Sequence, residues 1–258
     1  MAVYIGTSGW QYRHWKEAFY PQGVPQKGWL EFYAQRFQTV ELNNSFYHLP
    51  KAESFASWAQ RTPADFIVAA KVSRYLTHIK RLKDPAEPVS RFMTNASFLG
   101  PKLGPLLLQL PPTLQADLPA LDQTLAEFPA RVRVAVEFRH PSWFTPETKE
   151  VLEAHDAACC LADRDGSPVT ELWRTADWGF VRWHHGLSRP PPCYRRKDMT
   201  EWAQRIAGLW SPEEDVYAFF NNDPRGCALR DAAVFAQETE AVGLRPTRVP
   251  ARDEVKIV

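Results

Sequence analysis

Val134-Ala135-Val136-Glu137-Phe138-Arg139 is an apolar run that ends in a carboxylate, an aromatic ring and a guanidinium. Side chains alternate faces along an extended strand, so Ala135, Glu137 and Arg139 share one face while Val134, Val136 and Phe138 share the other. The apolar set suits packing against helices, which turns Glu137 and Arg139 toward an interior at the end of the strand. Seven further runs have this form. Tyr4-Ile5 leads into Gly6-Thr7-Ser8-Gly9-Trp10, Val40 into Glu41-Leu42-Asn43, Phe66 to Ala70 into Lys71, and Leu106 to Leu108 into Gln109. Ala157 to Ala162 leads into Asp163, Phe180-Val181 into Arg182-Trp183-His184-His185, and Val216 to Phe220 into Asn221-Asn222-Asp223. Eight β segments that each end in polar groups predict an α/β fold, a single-domain (β/α)8 TIM-type barrel, because such barrels carry their sites on the C-terminal rim of the strands.

Segments with helical character separate the runs, at 29–37, 53–60, 88–99, 118–128, 146–155, 200–210 and 229–242. Leu118, Leu121, Leu125 and Phe128 recur at spacings of three and four, one apolar stripe of a helix. Strand and helix in alternation argue for parallel strands with helical crossovers rather than a sandwich. The 258 residues match the length of one barrel, assigned to 1–245, followed by a polar tail at 246–258 without a clear period.

A hydrophobic fraction of 45% with 24% charged residues excludes a disordered chain. The formal net charge of +1 gives no global attraction to nucleic acid or to anionic membrane, so anion binding has to come from local clustering. No basic and apolar leader precedes Ala2-Val3-Tyr4 and no stretch approaches a membrane span, which predicts a cytoplasmic protein without a membrane partner. Cys159, Cys160, Cys193 and Cys227 lack CxxC spacing, and reduced core thiols are expected.

The same alternation puts Glu41 with Asn43, Ala69 with Lys71, Leu107 with Gln109, Leu161 with Asp163, and Arg182 with His184. Six strands then send polar groups to one mouth. Burying them unpaired costs several kcal/mol each, so they pair with one another, with water or with a ligand. A structural salt-bridge layer accounts for part of such a set, and a ligand-binding rim for the concentration at one end. Glu137 is the first candidate for general base, with Glu41 or Asp163 as acid. Lys71, Arg139 and Arg182 are the candidate clamps for an anion, joined by His78 and His184. A divalent metal held by the three carboxylates with His184 or His185 is a disfavoured option, since no HExxH or DxD spacing exists. The loop Gly6 to Trp15 offers Trp10 and Tyr12 as faces for a base or sugar, and its glycines let backbone amides approach an anion; it is not a P-loop. Gln109, Asn43 and Asn221 complete the candidate substrate contacts.

Several of these motifs together resemble a known family. Gly6-Thr7-Ser8-Gly9-Trp10 with Tyr12 and Trp15, Val40-Glu41-Leu42-Asn43 leading to Phe46-Tyr47, Thr77-His78, and Leu108-Gln109-Leu110-Pro111-Pro112 are similar to the family called domain of unknown function 72, the YecE-like proteins. Ala135-Val136-Glu137-Phe138-Arg139-His140 with Ser142-Trp143, and Phe220-Asn221-Asn222, extend the resemblance from about Val3 to about Val242. It implies a (β/α)8 barrel with its pocket at the strand ends, and no established activity. After strand seven, members often continue from His-Gly into a Tyr-Gly loop, whereas here His185-Gly186 leads into Pro190-Pro191-Pro192-Cys193-Tyr194. Metal-binding barrels such as endonuclease four and xylose isomerase offer an analogy of fold only.

These readings predict a hydrolase or lyase acting on a phosphorylated or otherwise anionic substrate: a nucleotide, nucleic acid or sugar phosphate. The alternative is a non-catalytic module binding nucleic acid or a small anion.

Overall fold

The computed structural model describes residues 2–256. Eight parallel strands alternate with helices: β1 (Val3–Thr7), β2 (Thr39–Leu42), β3 (Ile67–Lys71), β4 (Leu103–Gln109), β5 (Val134–Glu137), β6 (Ala158–Arg164), β7 (Gly179–Trp183) and β8 (Val216–Phe220). The helices are α1 (Trp29–Arg36), the short α2 (Asn44–Tyr47), α3 (Ala52–Gln60), α4 (Ala86–Ala96), α5 (Leu118–Ala126), α6 (Pro146–Ala154), α7 (Arg196–Leu209) and α8 (Cys227–Ala241). No α-helix joins β6 to β7; instead Ser167–Pro168 folds back antiparallel onto the end of β6. Neighbouring strands pair from β2 through β8, and β8 pairs with β1 from Val3↔Val216 to Thr7↔Phe220.

Alternation along the strands separates two cores. Val40, Leu42, Leu106, Leu108, Val134, Val136, Val181 and Phe220 face outward into one cluster with residues of the helices, such as Leu121, Leu125 and Trp202. Ala69, Leu107, Ala135, Cys160, Phe180 and Phe219 face the axis in a second cluster. Full burial of one Leu or Phe side chain is worth about 1.5–3 kcal/mol, so the apolar parity sets the register of every strand. The next inward positions toward the C-terminal ends then have to carry the polar groups.

The β1–β2 seam has no strand ladder among the described residues, and other groups close it. The Tyr33 hydroxyl, on α1, accepts from the Thr7 amide at 3.1 Å and donates to the Thr39 carbonyl at 3.1 Å. Gly6 lies so close to β2 that a Cβ there would sit 2.5 Å from the Thr39 carbonyl oxygen. Lower down, Val3 donates to Arg245 O at 2.9 Å, Thr247 donates to Val3 O at 2.8 Å, and the Ile5 amide donates to Thr247 Oγ1 at 3.2 Å. Arg248 reaches Asp65 at 2.9 Å and the Ala34 carbonyl at 3.1 Å. The start of the polar stretch read at 246–258 thus lines the free edge of β1; residues 257 and 258 lie outside the described residues.

The expectation of reduced thiols holds for only two of the four cysteines. Cys159 and Cys160 are free and buried, whereas Cys193 and Cys227 form a disulfide with their Cα atoms 4.7 Å apart. Thirty-four residues separate the pair, and the fold closes that distance by laying the loop after β7 across the start of α8. No helix of the described residues is long and apolar enough to cross a membrane.

Replacing Tyr33 by Phe keeps the ring and removes the bridging hydroxyl, leaving a buried amide and carbonyl without partners. The expected loss is about 2–4 kcal/mol in urea unfolding; a loss under about 0.5 kcal/mol would show that the seam does not depend on this group.

Candidate active site at the barrel mouth

Arg182 on β7 lies on the barrel axis and is 1% exposed. Its Nη2 donates to Glu41 Oε1 at 2.9 Å and its Nη1 donates to Glu137 Oε2. Both carboxylates are themselves buried, at 0% and 1% exposure. Glu137 Oε1 accepts from Gln109 Nε2 at 2.8 Å and from Arg139 Nε at 3.0 Å, with His184 Nε2 at 3.4 Å. Gln109 turns its other end to Lys71, whose Nζ donates to Gln109 Oε1 at 2.6 Å. The amide orientation of Gln109 is fixed from both sides, because a carboxylate can only accept and an ammonium can only donate.

A ring of neutral groups sits above this layer. Asn43 Nδ2 donates to Ser8 O at 3.1 Å and lies 3.5 Å from Asn221 Oδ1. Asn221 Nδ2 lies 3.2 Å from His184 Nδ1, which makes Nδ1 the acceptor and puts the imidazole proton on Nε2, facing Glu137. Tyr12 donates to Ser8 O at 2.5 Å. Ser8, Trp10, Tyr12, Asn43 and Asn44 line a hollow beside the mouth. Trp10 is 5% exposed and packs edge-on against Trp58, so its ring belongs mostly to the core. His78 lies in a single π-helical turn, Tyr75–Ile79, with Nδ1 2.9 Å from Thr77 Oγ1 and its ring edge-on to Phe46.

Electrostatics divide these groups by role. Burial alone pushes the Glu137 carboxyl up, but Arg182, His184 and Arg139 outweigh it and hold the group well below the ordinary carboxylate range. With a depressed pKa and both oxygens occupied, Glu137 is a poor proton acceptor at neutral pH. Burial pulls Lys71 down to about 8, assisted by Arg182 and Arg139 and opposed by Glu41 and Glu137. Burial likewise lowers His78 to about 4, with help from Lys71, Arg74 and Arg139, and it lowers His184 despite Glu137. Both imidazoles are therefore neutral at pH 7. Two carboxylates, Glu41 and Glu137, stand against three cations, Arg182, Arg139 and Lys71, which leaves one net positive charge.

Asp163 does not join the cluster. It shares a face with Leu161, as the alternation requires, but on β6 that face is the outer one, since Cys160 faces the axis. Its Oδ2 accepts from Trp202 Nε1 on α7 at 2.7 Å and its Oδ1 from the Gly166 amide at 3.1 Å. Burial pushes its carboxyl up to about 6. Among the described residues no three His, Cys, Asp or Glu side chains converge as a metal-binding group; Glu41 and Glu137 are engaged by Arg182 and Asp163 lies outside the wall. Sequence reasoning overlooked Phe46, whose ring centroid lies 3.9 Å from Lys71 Nζ. It also gave Ser8 no binding role, yet the Ser8 Oγ and Glu41 Oε2 atoms are buried without a hydrogen-bond partner among the described residues.

Known proteins share this architecture. A crystal structure of a DUF72 family protein from Thermotoga maritima superposes with a TM-score of 0.81 and 28% identity, covering 93% of this chain and 100% of that one. The protein YecE of Escherichia coli K12 is 34% identical over 149 residues, 57% of this chain; the match spans about half of that relative, 52% of its length. YunF of Bacillus subtilis is 25% identical over 96% of this chain and 99% of its own length. The family model described as "Protein of unknown function DUF72" matches residues 4–254, and the chain belongs to that family.

Proposed function

We propose that the barrel mouth binds a small anionic substrate, carrying a phosphate or carboxylate, and performs hydrolase- or lyase-type chemistry on it. The observation that carries this reading is the surplus positive charge of the mouth. Both Nη groups of Arg182 are engaged, by Glu41 and Glu137, and it serves to position them. Arg139 spends only its Nε on Glu137, and its side chain is 37% exposed, which leaves its two Nη groups as a fork suited to an oxyanion. Lys71 supplies the second charge. In this reading Glu137 positions Arg139, Gln109 and His184 rather than moving a proton, and Lys71 is the group that exchanges protons with the substrate. Asn43, Asn221, Tyr12 and His184 are neutral hydrogen-bonding partners for the remainder of the ligand.

A small molecule is favoured over a nucleic acid because the net charge of the chain is only +1 and the surplus at the mouth is a single charge. A cytoplasmic location is part of the same reading; the Cys193–Cys227 bond weighs the other way, since disulfides are rare in reducing compartments.

Calorimetric titration with 2-phosphoglycolate tests the site. Arg139→Met is expected to weaken binding by about tenfold or more, the loss of one charge-assisted contact. Undiminished affinity, or no binding by the unmodified protein, would overturn the reading. The pH dependence follows from Lys71, which faces Arg182, Arg139, Glu41, Glu137 and His78. Its ammonium is charged below about 8 and neutral above. Affinity for sulfate, whose own charge is constant in this range, should therefore fall as the pH rises from 7 to 9. In Lys71→Arg, which stays charged, it should stay level; a flat profile in the unmodified protein would remove Lys71 from the anion site.

A further inference from the structure

Lys71 is 8% exposed and lacks the partner that a buried lysine normally has. An ammonium withdrawn from water is costly unless a carboxylate compensates it. None of the ion pairs among the described residues includes Lys71, although two carboxylates lie in the same polar layer and both are taken by arginines. Its contacts are one amide oxygen, Gln109 Oε1 at 2.6 Å, and the face of Phe46, 3.9 Å from the ring centroid. Gln109 is held in turn by Glu137, so the amine is aimed by a rigid acceptor and backed by an aromatic wall. Burial beside Arg182 and Arg139 favours the uncharged form, and a desolvated lysine amine next to other cations is the arrangement that turns this side chain into a nucleophile toward carbonyl carbon.

We propose that Lys71 forms a Schiff base with its substrate, and that the substrate is a small aldehyde or ketone carrying a phosphate or carboxylate held by Arg139. The inference deepens the anion-binding reading above and rests on it for the substrate's charge. Neither Glu41 nor Glu137 lies within ion-pair distance of Nζ among the described residues, so solvent water takes a proton from the Lys71 ammonium. The freed lone pair on Nζ forms the bond to the carbonyl carbon, and the π pair moves onto the oxygen. A proton passes from nitrogen to that oxygen, giving a neutral carbinolamine. The hydronium returns that proton to the hydroxyl, which leaves as water while the nitrogen lone pair forms the C=N bond. One ammonium and one carbonyl thus become one protonated imine and one water, with no oxidant or reductant required.

Sodium cyanoborohydride delivers hydride to an imine carbon and fixes the adduct as a secondary amine that peptide mass mapping locates. Glyoxylate and glycolaldehyde phosphate are the probes, with uncharged glycolaldehyde as the control. The expected result is labelling of Lys71 at aldehyde concentrations at least about tenfold lower than those that label the more exposed Lys80 or Lys149, with the preference lost for glycolaldehyde. Lys71→Arg should lose the label at residue 71. If both anionic aldehydes modify the exposed lysines and leave Lys71 intact while 2-phosphoglycolate binds normally, the Schiff-base assignment fails and the anion site stands. If Lys71 is labelled equally by charged and uncharged aldehydes and 2-phosphoglycolate does not bind, the anionic substrate class fails.

Discussion

A guanidinium buried on the barrel axis, Arg182, bridges carboxylates from two other strands, and the order of the mouth follows from that contact. Three charges removed from water are tolerable only as a set, since each would cost several kcal/mol alone. The pairing fixes Glu137; Glu137 fixes Gln109 and Arg139; Gln109 fixes the amine of Lys71. The strands supply the positions by parity, and Arg182 supplies the reason that acidic and basic groups can share so small a volume.

The charge arithmetic of that layer separates support from function. Glu137 carries the most contacts and the lowest proton affinity, which suits a post and not a base. Lys71 makes a single side-chain hydrogen bond and has a pKa near 8, so it can change protonation state at a modest cost. Arg139 stands at the rim with part of its fork unspent. Catalytic groups need mobile protons while the groups that hold them need fixed ones, and the two demands fall on different residues here.

Much of this was legible in the chain because alternation is a strong signal wherever a strand mixes apolar and polar residues. β5, β7 and β2 each carry a charged residue on the inward parity, and Glu137, Arg182 and Glu41 meet as that parity requires. β6 defeated the same reasoning. Ala157 to Ala162 is apolar on both faces, so the run contains no marker of which face is inner, and Asp163 falls on the outer one beneath Trp202. The disulfide escaped for a different reason, because Cys193 and Cys227 meet only through the path of the loop after β7. Phe46 was visible only as part of a motif; its place over Lys71 depends on how α2 folds across the end of β3. The neutrality of His78 and His184 depends on burial next to cations, which composition does not display.

The organising role of Arg182 is tested most directly by unfolding free energies across a mutant series. Arg182→Met leaves two buried carboxylates without their counter-ion and should cost about 3–5 kcal/mol. Adding Glu41→Gln and Glu137→Gln removes the stranded charges and should recover most of that loss, because the three groups act as one unit. A single substitution costing less than about 1 kcal/mol, or a triple variant whose losses simply add, would contradict the account.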